Sequence, residues 1–88
     1  MLRSTQEDAL RTTLHFKVIL EFDAEDQAWV TYVPSLDYLS TYGETRDEAL
    51  QNTREAIIGY LEAAEKAGIP IPAADRPTEV VELEVAIA

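Results

Sequence analysis

From residue 14 onward the chain alternates apolar and polar positions. Phe16, Val18, Leu20 and Phe22 fall at every second residue, which predicts a strand over residues 14–22 with that set facing a core. A polar stretch over residues 23–27 has the length of a hairpin connection. Residues 28–33 (AWVTYV) are aromatic and β-branched, as a second strand requires. Which face of it is buried stays open, because Val30 and Tyr32 compete with Trp29, Thr31 and Val33. Pro34 cannot donate to a ladder and ends the strand. After a turn, residues 38–42 read as a short third strand.

At Gly43 the period changes from two to 3.6. Leu50, Thr53, Ile57, Tyr60, Leu61 and Ala64 make one apolar helical stripe. Thr45 is a suitable N-cap and Glu48 completes a capping box. Asp47 and Glu48 sit at the positive end of the helix dipole. Gly68 fits the first position past the helix, and Pro70 and Pro72 forbid continuation. Ile57, central in the stripe, is expected in the core, where truncation to Ala costs ~2–5 kcal/mol. Gly59 is a local conflict that costs about 1 kcal/mol relative to Ala; it suggests a closely packed strand or second subunit. Residues 79–88 alternate again: Val81, Leu83, Val85 and Ile87 against Glu82, Glu84 and Ala86. That predicts a fourth strand.

The order is therefore β-β-β-α-β, an α+β fold. The crossover rules favour an antiparallel meander, with the last strand beside the first in the order 3-2-1-4 and one helix on one face. A short N-terminal helix over residues 4–13 is possible, with Ser4 and Glu7 as its capping box. Residues 1–88 are read as one domain, with 1–13 as an extension. The 88 residues support a single core, and 47% hydrophobic content argues against disorder.

Composition narrows the function. Seven basic and seventeen acidic residues give a net charge of -10. Phosphate binding rests on Lys and Arg, so direct nucleic-acid binding is not expected, whereas a basic partner would be drawn in. Without cysteine there is no thiolate chemistry, and His15 alone cannot build a His-rich metal site. Ser35 and Ser40 lack a motif histidine. Glu21, Glu82 and Glu84 have no metal-binding spacing and read as solvated charge, which leaves a metal-dependent nuclease as the weakest reading. No cofactor, metal site or catalytic residue is expected. No apolar run reaches the ~20 residues of a membrane span. Residues 1–8 are too acidic for a signal peptide, so a cytoplasmic protein is expected.

The run over residues 32–72 resembles the HicB-like antitoxins, and the match spans roughly residues 16–72. Val33 and Pro34, then Leu36, Gly43, Thr45, Glu48, Ala49, Ala56, Leu61, Pro70 and Pro72 stand where that family has its Val-Pro, Leu, Gly-x-Thr, Glu-Ala, long helix and Gly-x-Pro-x-Pro exit. The acidic turn before Trp29 fits as well. Many members carry Pro-Gly-Cys after the Leu, where this chain has Asp37, Tyr38 and Leu39. The resemblance implies a partial RNase H-like fold and a non-enzymatic role. A small basic mRNA-cleaving toxin (HicA-like) would be bound and its active site occluded. DNA binding by this chain alone is not implied, since no DNA-binding module is expected after the last strand.

Asp23, Glu25, Asp26, Trp29 and Tyr38 are the candidate partner-binding residues. Pro34, Leu36, Gly43, Thr45, Glu48, Gly68 and Pro70 have complete structural explanations in turn and cap chemistry. An alternative from a different class is an orphan homo-oligomeric scaffold, favoured by open strand edges and an uncovered sheet face. A homodimer or larger homo-oligomer is compatible with both.

Overall fold

The computed structural model describes residues 13–71 and 76–88. Three strands, Ile19–Asp23 (β1), Ala28–Val33 (β2) and Leu39–Gly43 (β3), form an antiparallel sheet in the order β1-β2-β3. A 3-10 turn, Pro34–Leu36, separates β2 from β3, and a 22-residue helix, Arg46–Ala67 (α1), follows. The meander and single long helix are those expected. The helix suggested over residues 4–13 falls, apart from Thr13, outside the described residues; Thr13 is exposed and not helical.

β1 begins five residues later than predicted. Its pairing with β2 starts at Ile19 opposite Tyr32. One step further along β2 lie Val33 and Pro34, where the chain turns away into the 3-10 helix and offers no ladder. Residues 14–18 thus continue past the paired sheet. The expected fourth strand is likewise not in the sheet. Residues 76–88 carry no strand, and every one is exposed. Leu83 is 79% exposed and Ile87 91%. A period-2 sequence supplies one apolar face, but a strand needs a neighbour, and this segment has none among the described residues.

The register decides which face of β2 is buried. Thr31 is wholly buried, pairs with Leu20 and Thr41, and its hydroxyl lies 2.6 Å from that of Thr53 on α1. Trp29, Thr31 and Val33 therefore face the helix, as do Leu20, Phe22 and Gly43 by register. Phe22 and Trp29 meet edge to face, with ring centroids 5.3 Å apart. Val30, Tyr32, Ser40 and Tyr42 point the other way.

α1 lies mainly over β3 and the neighbouring part of β2. Its buried positions are small: Ala49, Thr53 and Ala64. Leu50, Ile57, Tyr60 and Leu61 are only half-buried. Thr53 and Ala64 of the predicted stripe are buried as expected, while its first buried position is Ala49 rather than Leu50. Small side chains there let the helix backbone approach the sheet. The tightest large residues, Leu36 and Val33, come instead from the end of β2 and the turn after it.

The caps follow local chemistry. The Glu48 N–H donates to Thr45 Oγ1 at 3.0 Å. Glu48 Oε1 accepts from the Glu44 N–H at 2.8 Å, one residue before the usual capping-box donor. At the far end Gly68 adopts φ 71°, its N–H bonds Glu65 O, and the Ile69 N–H bonds Ala64 O at 2.8 Å. This Schellman pair satisfies carbonyls the helix would leave open. Gly59 meets no close neighbour: a Cβ built there finds nothing within 4 Å. The close packing expected at Gly59 is absent among the described residues. Gly59→Ala should therefore raise stability by about 0.5–1 kcal/mol in urea denaturation, the ordinary helix-propensity gain. A loss would mean that another surface packs on it.

Candidate functional site

The outer face of the sheet carries a shallow groove of about 470 Å³, with Val30 and the buried Ala28 on its floor. Asp23, Asp26 and Glu44 line it, together with Ser40 and Tyr42. Tyr42 is 68% exposed, an aromatic ring beside a row of carboxylates. Glu21 stands on the same face, with Tyr32 Oη 3.5 Å from its Oε1.

The acidic turn is a structured feature. Asp23 Oδ1 accepts from the N–H groups of Glu25, at 3.0 Å, and Asp26, at 3.3 Å. This is an Asx-type turn, in which the aspartate replaces missing backbone partners. Gln27 closes the turn in the left-handed region, φ 52°, and its side-chain amide donates to Ala24 O at 2.7 Å. One Asp23 oxygen thus holds the turn, while Glu25 and Asp26 stand exposed. Such a fixed acidic rim over apolar floor can receive a basic surface, with the aromatic ring as an anchor.

The five candidate residues do not form one patch. Asp23 and Asp26 meet at the groove, and Glu25 stands in the same turn. Trp29 is half-buried on the opposite, helix-facing side of the sheet, against Phe22. Tyr38 lies in the β2–β3 turn, at the end of the meander away from the acidic turn. Its ring is exposed, and both it and Asp37 take left-handed backbone, φ 59° and 56°. A proline at position 37 cannot adopt that φ, so this turn differs from a Pro-Gly turn in its backbone and not only in its side chains.

Tyr42 and Glu44 were not among the candidates. The signal for Tyr42 was available: once Gly43 is placed under the helix, alternation sends Tyr42 outward beside Val30. Pro34, Leu36, Gly43, Thr45, Glu48 and Gly68 hold the turn, the close approach and the caps. Pro70 is exposed just after the helix. No group of three or more His, Asp or Glu side chains among the described residues is placed to hold a metal ion, and no described helix is long and apolar enough to cross a membrane.

A family profile described as HicB-like antitoxin of bacterial toxin-antitoxin systems matches residues 16–85. The UPF0150 protein Ta0767 of Thermoplasma acidophilum is 41% identical over 59 residues, covering 67% of this chain and 84% of that protein. No solved structure matches the chain at a significant level. With the antiparallel meander, the Gly43-to-helix junction and the Gly68 exit all falling inside the matched span, the chain belongs to the HicB-like antitoxin family.

Proposed function

We propose that this protein neutralises a small basic, mRNA-cleaving toxin of the HicA-like kind by binding it and occluding its active site, with no chemistry of its own. The observation that carries the reading is the outer-face groove, with Asp23, Asp26 and Glu44 set around Val30 and an exposed Tyr42. Seventeen acidic residues against seven basic ones extend that field over the chain, which speeds encounter with a basic protein and opposes contact with nucleic acid. The protein acts in the cytoplasm, where such a toxin meets its mRNA. The domain is a partial RNase H-like fold whose fourth strand, residues 79–88, belongs at the free edge of β1 in the order 3-2-1-4. Supporting this are the alternation of that segment, a β1 edge that no described strand pairs with, and the apolar trough between α1 and the residues leading into β1.

Co-expression with the adjacent small basic reading frame tests the toxin reading. The wild-type chain should restore growth and co-purify with the toxin. Asp26→Lys combined with Glu44→Lys should lose rescue while keeping the helical circular dichroism, since both side chains are exposed. If the double variant rescues fully, the groove is not the toxin-binding surface. If wild type neither rescues nor binds, the neutralisation claim fails. A second reading, a homo-oligomeric scaffold without a toxin, is favoured by the exposed apolar side chains of Val81, Leu83, Val85 and Ile87.

A further inference from the structure

The segment leading into β1 and the helix α1 leave an open trough of about 490 Å³ between them. Leu14, Phe16 and Val18 form one wall, and Leu50, Ile57 and Leu61 of α1 form the other. All three helix residues are half-buried and line the trough. Among the described residues β1 is the outer strand of the sheet, and no described strand pairs with its free edge. The trough thus lacks one strand with one apolar face.

Residues 79–88 have the alternation such a strand would need, and they are not placed there in their own chain. Arg76 anchors the start of that segment: its N–H donates to Ser35 Oγ at 3.0 Å, and Lys17 Nζ donates to its carbonyl at 2.8 Å. From that anchor the chain does not turn in along β1. Residues 76–88 all remain exposed, including Val81, Leu83, Val85 and Ile87. Pro77 restricts Arg76 to extended backbone and fixes its own φ, which opposes a tight reversal at this point. The segment therefore leaves its own trough with its apolar face bare.

We propose that residues 79–88 of one chain fill the trough of a second copy, and that the second copy returns its own segment in exchange. The inference rests on the reading that this segment is the sheet's fourth strand, and adds where its neighbour comes from. Val81, Leu83, Val85 and Ile87 enter between β1 and α1. Glu82 and Glu84 fall on the outer side, where Lys17 stands by strand parity. A twofold axis makes the exchange reciprocal, so both troughs close and no apolar tail remains. The apolar layer under α1 is then completed only in the pair, from two chains.

Sedimentation equilibrium of the purified full chain, without any partner, should give twice the chain mass of 9.8 kDa. Leu83→Asp combined with Val85→Asp should halve that mass and leave the helical circular dichroism in place, since neither side chain packs within its own chain. In an equimolar mixture of isotope-labelled and unlabelled wild type, filtered NMR should show Leu83 and Val85 methyls of one chain against Ile57 and Leu61 of the other. A wild-type monomer at high micromolar concentration overturns the exchange, as does a dimer indifferent to the two aspartates. Contacts confined within one chain also overturn it, while leaving the 3-2-1-4 order intact. Toxin neutralisation is read in a separate assay, so either can fail alone.

Discussion

Gly43→Ala should cost about 3 kcal/mol, at the upper end of what overpacking a well-filled site costs. A Cβ at this position would meet the Ala49 amide nitrogen, with the Glu48 carbonyl carbon at 2.8 Å and Ala49 Cα at 2.9 Å. All three are backbone atoms of the first helical turn, so no side-chain rotation relieves the clash. The helix start must lift from the end of β3, and the Thr45 and Glu48 caps move with it. A domain of this length holds roughly 4–13 kcal/mol in total, so the loss is a large fraction of it. Urea denaturation should show the midpoint fall with little change in slope. Gly59→Ala in the same helix should move the midpoint the other way. If Gly43→Ala loses less than about 0.5 kcal/mol, the helix start is not seated on β3 as described.

Leu36→Ala should cost about 3 kcal/mol, within the range of 2–5 kcal/mol for emptying a packed site. Leu36 is 1% exposed and lies in the turn after Pro34, in the same buried cluster as Val33. A short 3-10 turn held by a proline and a left-handed Asp37 cannot collapse readily into the space left behind. Ile57→Ala, the site expected from the helical stripe to be central, removes a side chain that is only half-buried within one chain. Within a single chain its loss should be less than half that of Leu36→Ala. Equal costs at all protein concentrations would mean that Ile57 is part of the permanent core.

Capping chemistry is local, and that is why the helix was legible to within a residue at both ends. Thr45, Glu48 and Gly68 act on backbone groups at most four residues away. The hairpin order was legible for the same reason, from Pro34 and from alternation. Which members of the stripe are fully buried was not, because that depends on what the sheet presents. Thr31 and Gly43 offer little volume, so small residues of α1 seat there and the larger Leu50, Ile57 and Leu61 are displaced towards the trough. The strand over residues 14–18 failed because alternation reports a face and not a neighbour, and β2 turns away at Pro34. Residues 79–88 show the same gap between pattern and pairing. For the outer face, Asp23 and Asp26 were found from charge alone. Trp29 was grouped with them through closeness in sequence, although strand parity puts it on the other side.

The buried hydroxyl pair has a consequence for how the helix finds its seat. A face lined by Ala49, Thr53 and Ala64 slides easily, since one alanine fits a shallow site much as the next does. Thr53 Oγ1 meets Thr31 Oγ1 at 2.6 Å and also Ala49 O at 2.6 Å, while Thr31 Oγ1 reaches Thr41 O at 3.2 Å. Sliding α1 by one turn, about 5.4 Å, would bring an alanine or an aliphatic side chain to Thr31 and remove Thr53 from it. Thr31 keeps Thr41 O and Thr53 keeps Ala49 O in that slide, so what is lost is the hydroxyl–hydroxyl bond, about 0.5–1.5 kcal/mol. Adhesion between helix and sheet comes from the apolar residues around the pair, and axial position comes from two threonines that fit at one setting only.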